Sequence, residues 1–399
     1  MKIIKGGCCA PLGFRANGIL CGIKKNKKDL ALIFSVVPAA ASGVFTKNKF
    51  AAAPVLISKE RLNNLKAQAI IANSGTANCC TGKKGYKDAQ EVTKSIAKLL
   101  NIEEENVLPA STGVIGAPLP LNKIKQKAKV LIEGLSRNAS LHAAEAIMTT
   151  DRFVKEAALE VVISGKKVKI GGIAKGAGMI EPDMATMLCF LTTDALIEPF
   201  ALKKALKEAV ADSFNSITVD GDTSTNDTVI ILANGLAGNK KIKEDTQQYK
   251  QFTDALKFLT DHLSYLMVKD GEGATKVVEI KIDGAKTKED ARKVGKRIAN
   301  SLLVKTAMYG CDPNWGRIAA AVGSSGVEFS PDKVNITIGG KVVFKNGNPV
   351  SFNKAKLKNI LNKEKVEIGV ELGAGENSAI VRTCDLTEKY IRINAHYTT

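Results

Sequence analysis

The sequence predicts a mixed α/β protein in which helices cover a sheet, and three observations say so. Apolar residues recur at helical spacing in five segments, β-branched runs lie between them, and two-residue turn signals join several of those runs. In addition, 399 residues with 45% hydrophobic content can bury a large core, for which two structural units are a better expectation than one.

The helical segments are residues 88–100, 121–135, 201–214, 249–268 and 287–303. The last opens Thr287-Lys288-Glu289-Asp290, a capping box with Asp in place of the usual Glu or Gln, in which the threonine hydroxyl accepts a free backbone N–H of the first turn. The β-rich runs include residues 158–163, 168–173, 187–192, 228–233, 277–282 and 366–372. Ser164-Gly165 separates the first two. Gly339-Gly340 and Asn346-Gly347 punctuate residues 334–350 in the same way, so hairpins and an antiparallel sheet are expected. No repeat or low-complexity linker divides the chain.

Composition excludes several classes. The densest apolar stretch, residues 30–37, is far shorter than the roughly 20 residues of a membrane-crossing helix. Residues 1–11 lack the apolar centre of a secretory signal, so residence in the cytoplasm is expected. Eight cysteines without any Cys-x-x-Cys, and only His142, His262 and His396, favour buried thiols over disulfides or a metal site. The net charge of +18 reads as a solvated lysine-rich surface, because only 5% of the residues are aromatic and a nucleic-acid binder would add stacking groups. The cluster from Lys24 to Lys28 reads as a solvated turn between two strands.

The densest chemical signal is Lys175-Gly176-Ala177-Gly178-Met179-Ile180-Glu181-Pro182-Asp183-Met184-Ala185-Thr186-Met187-Leu188, a Gly-rich loop leading into a strand. It matches neither a P-loop nor a dinucleotide fingerprint, and spacing alone suits a tight connecting loop. With three dispersed histidines and no Gly-x-Ser-x-Gly elbow, a nucleophilic hydroxyl has no evident His partner. A threonine at a chain terminus supplies its own base, an α-amine of pKa about 7.7–8.0. An internal threonine becomes terminal only when the backbone is cut.

At Ala185-Thr186-Met187-Leu188 the sequence closely resembles the ornithine acetyltransferase family of arginine biosynthesis, whose members cut themselves before that threonine. The resemblance extends over essentially the whole chain. It includes Asn73-Ser74-Gly75-Thr76-Ala77-Asn78, Ser111-Thr112-Gly113-Val114-Ile115-Gly116, Met148-Thr149-Thr150-Asp151 and Asp220-Gly221-Asp222-Thr223-Ser224-Thr225-Asn226-Asp227. Further on come Asp270-Gly271-Glu272-Gly273-Ala274-Thr275-Lys276, Tyr309-Gly310-Cys311-Asp312-Pro313-Asn314-Trp315-Gly316-Arg317, and residues 394–399.

The resemblance implies a sandwich of stacked sheets with helices outside, a self-cleaving scaffold of the N-terminal-nucleophile type, plus a smaller C-terminal α/β region. It also implies two chains, residues 1–185 and 186–399, assembled as a heterotetramer. Thr186 would be the nucleophile and Thr112 with Gly113 the oxyanion hole; without the resemblance that Thr-Gly pair would read as a structural turn. Thr149, Lys175, Thr186, Glu272, Asn394 and Thr399 match substrate-binding positions. A lysine and a glutamate there suit the carboxylate and ammonium of an amino-acid ligand.

The implied reaction moves acetyl from N2-acetyl-L-ornithine to L-glutamate through an acetyl-threonine, with no cofactor or metal, and acetyl-CoA is a further donor in some members. The rival enzyme is an aminopeptidase or amidase of the same scaffold, in which water takes the acyl group. Arg152 stands where the family pattern leads one to expect threonine, and the adjacent Thr149-Thr150 leaves the register open by one residue. Asp220, Asp222 and Asp227 lack the spacing of a calcium loop. The segment from Tyr309 to Arg317 is expected to be turn-rich and structural.

Overall fold

The computed structural model describes residues 1–181 and 187–396. Its first half runs β1 (Lys2–Ile4), β2 (Phe14–Ile19), β3 (Leu30–Phe45), α1 (Ala53–Arg61), β4 (Lys66–Thr76), α2 (Gly82–Leu100), β5 (Val107–Val114), α3 (Leu121–Glu133), α4 (Ser140–Ile147), β6 (Lys155–Ile163) and β7 (Lys166–Lys175). The second runs β8 (Leu188–Thr193), α5 (Pro199–Asp212), β9 (Thr228–Ala233), α6 (Gln247–Lys269), β10 (Val277–Ala285), α7 (Lys288–Ala299), α8 (Leu302–Tyr309) and α9 (Trp315–Gly323). It ends with β11 (Asn335–Ile338), β12 (Lys341–Lys345), β13 (Asn348–Pro349), α10 (Lys354–Leu361), β14 (Lys365–Glu371), β15 (Asn377–Cys384) and α11 (Glu388–His396).

A nine-stranded sheet follows the order β1-β6-β7-β8-β9-β3-β4-β5, with β2 beside β3. Its shape turns on β3. The first part of that strand, Leu30 to Phe34, pairs with β2 and β4, and the last part, Ala40 to Phe45, pairs with β9, with a register break in between. That break lets the two halves of the sheet fold over one another, so α4 touches β2, β3 and β4 of one half and β6 and β7 of the other. Between the halves Ile33, Ile70 and Leu108 share a core with Ile173, Phe190 and Ile230.

The next residues along those strands face outward. Leu159, Ile170, Leu191 and Ile231 pack on α5 and α6, while Leu32, Ile71 and Val107 pack on α2 and α3. Strands buried on both faces carry continuous apolar runs, and this is the reason for Leu30-Ala31-Leu32-Ile33 and Val229-Ile230-Ile231-Leu232. The layers are therefore helix, sheet, sheet, helix, made from one continuous sheet. The smaller C-terminal sheet, ordered β13-β12-β11-β14-β10-β15, has its own core, in which Ile280, Ile368 and Val381 meet Val294 and Ile298 of α7 and Ile318 of α9.

Several expectations are met closely. Ser164 and Gly165 have φ of 50° and 74°, and Asn346 and Gly347 have 48° and 74°, as two-residue hairpin turns require. Thr287 caps α7, its Oγ1 accepting the N–H of Asp290 at 3.0 Å. Others are corrected. The sheets are mixed, since β4–β5, β8–β9 and β10–β14 are parallel; turn dipeptides report local hairpins and say nothing of strands joined through α2 or α5. Segment 287–303 spans two helices, because Ser301 caps a new one by accepting the N–H of Val304. Segment 309–317 enters α9 under an Asn314 cap, and Trp315 stacks on Phe344 with ring centroids 5.0 Å apart, the half-buried pair packing against the smaller sheet's core. Among the described residues no helix is long and apolar enough to cross a membrane.

Replacing Thr287 with Ala removes the α7 cap and should cost about 1 kcal/mol. A lowered urea midpoint with unchanged slope would show it, and Thr287→Asp should restore the midpoint.

Candidate active site

A cleft of about 330 Å³ lies where β5, β7, the connection before β9 and the C-terminal end of α6 converge, with α11 as its remaining wall. Thr112 and Gly113 come from the end of β5, at a register break where Thr76 of β4 faces both Thr112 and Val114. Gly113 has φ of 131°, and a Cβ there would stand 2.4 Å from the carbonyl carbon of Gly75. Both facts demand glycine. Thr112, 9% exposed, accepts a 3.1 Å hydrogen bond from Lys175 Nζ, which leaves its own O–H free to donate into the cleft.

Lys175 ends β7 and is buried. Desolvation lowers its pKa, against the opposing pull of Asp151, Asp227 and Glu272. Past it, the Gly-rich loop is held by Asp220, which accepts the N–H groups of Met179 at 2.6 Å and Ile180 at 2.7 Å. Gly178 leaves room for Glu272, whose carboxyl carbon would stand 2.5 Å from a Cβ at that position. Glu272 in turn accepts from Asn394 Nδ2 of α11 at 2.8 Å. Asn226 ties the connection before β9 to the end of β5, donating to the carbonyls of Ala77 and Ser111 at 2.7 and 2.9 Å.

Behind these groups lies a buried ion chain. Lys155, fully buried at the start of β6, pairs with Asp151 at 2.6 Å and with Asp270 at 2.5 Å. Asp151 also accepts the N–H of Thr149 at 2.9 Å and of Gly176 at 2.8 Å. Burial works to raise the Asp151 pKa, but the ammonium groups of Lys155 and Lys175 and these hydrogen bonds outweigh it and hold the carboxyl below the usual carboxylate range. Asp270 closes α6 two residues before Glu272. One cluster thus fixes three segments of the cleft.

Of the residues that the resemblance picks out, Thr112, Gly113, Thr149, Lys175, Glu272 and Asn394 line one cleft. Thr186, its neighbour Ala185, and Thr399 lie outside the described residues. Thr150 lines the cleft beside Thr149, so both threonines of that pair belong to the wall. Arg152 points elsewhere. Its Nε pairs with Asp270 at 3.0 Å and a terminal nitrogen donates to Lys269 O at 2.8 Å, and it lines a separate cavity of about 270 Å³. Asp227 accepts the N–H of Met187 at 2.6 Å, and its other oxygen has no hydrogen-bond partner among the described residues.

Sequence reasoning missed Lys155, Asp220, Asn226 and Tyr390. The first leaves no signal because a lysine is expected to be exposed; the next two stand in a motif that carried the resemblance but was given no role beyond the calcium loop set aside there. The lysine turn is also more than solvated: Asp29 is buried and accepts four successive backbone N–H groups from Cys21 to Lys24. Lys24 donates to Met148 O, and burial pushes its pKa down to about 8. Of the eight cysteines expected to be buried, Cys80 is exposed and Cys311 half-buried.

Lys155→Met strands two buried carboxylates and should lower stability by about 3–5 kcal/mol. Because Asp151 titrates lower when folded, its stabilisation is present above the ordinary Asp pKa of about 3.9 and lost as pH falls below it. Denaturant melts of wild type and variant should therefore differ most near neutral pH and converge in acid.

Residues 15–399 match the ArgJ family. The chain is 48% identical over 403 residues, with all of both chains covered, to the arginine biosynthesis bifunctional protein ArgJ of Caldanaerobacter subterraneus. It is 47% identical over 411 residues, again with all of both covered, to the glutamate N-acetyltransferase of Methanocaldococcus jannaschii. Among solved structures it is similar to the crystal structure of the arginine biosynthesis bifunctional protein ArgJ from Bacillus halodurans, with 42% identity, a TM-score of 0.51, and coverage of 52% of this chain and 98% of that one. A family match over nearly the whole length, with relatives of this identity, settles the assignment: the chain belongs to the ArgJ family.

Proposed function

We propose that Thr186 carries an acetyl group between two amino acids in this cleft. The protein is an acyltransferase of arginine biosynthesis that moves acetyl from N2-acetyl-L-ornithine to L-glutamate, giving L-ornithine and N-acetyl-L-glutamate. The observation that carries the mechanistic reading is the convergence of Thr112, Gly113, Thr149, Lys175, Glu272 and Asn394, from segments far apart in sequence, on one cleft lined also by Gly178 and Met179 of the loop that leads to Thr186.

In the first stage the Thr186 hydroxyl attacks the Ala185 carbonyl, the C–N bond breaks to leave an ester and a free α-amine, and water hydrolyses the ester. The product is two chains, residues 1–185 and 186–399. The Bacillus halodurans chain supports this reading, since it matches about half of the present chain while being covered almost entirely itself.

In the second stage the α-amine takes the hydroxyl proton as Thr186 attacks the acetyl carbon of the donor. Thr112 O–H and the Gly113 N–H face the oxyanion, ornithine leaves with the proton, and acetyl remains as a threonine ester. Glutamate then attacks that ester with its amine. Lys175 pairs with the α-carboxylate common to donor and acceptor, and Glu272 receives the donor's ammonium. Thr399 is part of the same substrate-binding set. Acetyl-CoA as a second donor, an α2β2 assembly of the cut chains, and residence in the cytoplasm complete the proposal.

A denaturing gel with N-terminal sequencing tests the first stage. Wild type should give two fragments, the second beginning Thr-Met-Leu-Cys, and Thr186→Ala one intact chain; an uncut wild type with full transferase activity overturns it. Glutamate should raise steady-state ornithine release at least tenfold over water alone, whereas release indifferent to glutamate would mark a hydrolase of the same scaffold.

A further inference from the structure

The reading just given poses a problem of charge. A ping-pong transferase brings both substrates to the same threonine, yet the donor's side chain ends in an ammonium and the acceptor's in a carboxylate. Among the described residues the cleft wall holds Asp220, Asp222 and Glu272 against one cation, Lys175, which the common α-carboxylate occupies. Fixed acids serve the donor and repel the acceptor.

Two of these acids are not bare. Tyr390 donates its hydroxyl to Asp220 Oδ2 at 3.3 Å, and Asn394 donates Nδ2 to Glu272 Oε2 at 2.8 Å. The two donors are four residues apart on α11 and so share one face of that helix. The helix start is itself fastened to the Glu272 loop, Thr387 Oγ1 donating to Gly273 O at 2.9 Å. Asp220 keeps the N–H groups of Met179 and Ile180 whatever the tyrosine does. A tyrosine hydroxyl can donate or accept, and an amide offers donors to an anion.

We propose that Tyr390, paired with Asp220, is a specificity-determining residue that lets one cleft accept a cationic and an anionic side chain in turn. When the donor is bound, its ammonium sits between the acids and displaces the two neutral donors. When glutamate is bound, Tyr390 O–H and Asn394 Nδ2 turn from the acids to the γ-carboxylate. Burial and the neighbouring Asp220 raise the tyrosine's pKa, so it keeps its proton throughout the working pH range. This inference rests on the acetylornithine–glutamate reading.

The test is initial-rate kinetics on the full-length processed enzyme, with both substrates varied. Wild type that fails to pass acetyl from N2-acetylornithine to glutamate rejects the underlying reading before any variant is made. Given that activity, Tyr390→Phe should raise KM for glutamate about tenfold, the scale of a hydrogen bond to a charged group, and leave KM for acetylornithine within about twofold. Asp222→Asn, which removes a wall charge and spares the carboxylate that holds the Gly-rich loop, should do the reverse. Equal shifts in both KM values, or none, in whichever variant is processed and folded, overturn the proposal.

Discussion

The arrangement of the cleft depends on a lysine that never sees solvent. Lys155 sits at the foot of β6 with a carboxylate on either side, Asp151 from the connection after α4 and Asp270 from the end of α6. Taking three charges out of water is costly, and a well-packed apolar trio would stabilise a fold at least as well. What the ions provide is geometry. Asp151 holds the backbone at Thr149 and Gly176, and Asp270 holds the turn before Glu272. Arg152 adds to the same chain from its outer side by bonding Asp270 and the last carbonyl of α6. Arg152 thus braces the turn before Glu272 and is not among the residues that line the cleft.

The sequence revealed most of what is local. Helical periodicity, the Thr287 cap and the Ser164-Gly165 and Asn346-Gly347 turns were readable because each is a property of a few neighbouring residues. The strand order was not. A long strand broken in register, with its two ends serving different halves of a sheet, looks in sequence like any apolar run. The short helices α1, α4, α10 and α11 span two or three turns, too few for periodicity to stand out.

For the site, motif resemblance picked out six positions that the fold brings together, but it attached no role to the residues that hold them. Asp220 and Asp227 illustrate the gap. A cation loop was weighed there and set aside for want of the right spacing, yet spacing gave no hint that one carboxylate pins the Gly-rich loop and the other receives the N–H of Met187. Such partners are backbone amides, which every sequence has at every position except proline, and so they leave no compositional trace.

The position of the proposed cut relative to the sheet has a consequence for how the molecule holds together. Residues 1–185 contribute β1 to β7, and residues 186–399 contribute β8 and β9 to the same sheet. The seams between them are the β7–β8 pairing, from Ile170 to Lys175, and the β3–β9 pairing, from Ala40 to Phe45. Each fragment taken alone would expose strand edges and one side of a core shared by Ile33, Phe190 and Ile230. A cut there would free a chain end in the middle of the larger sheet, leaving both seams to join the fragments, while the smaller C-terminal sheet and its core lie wholly in the second.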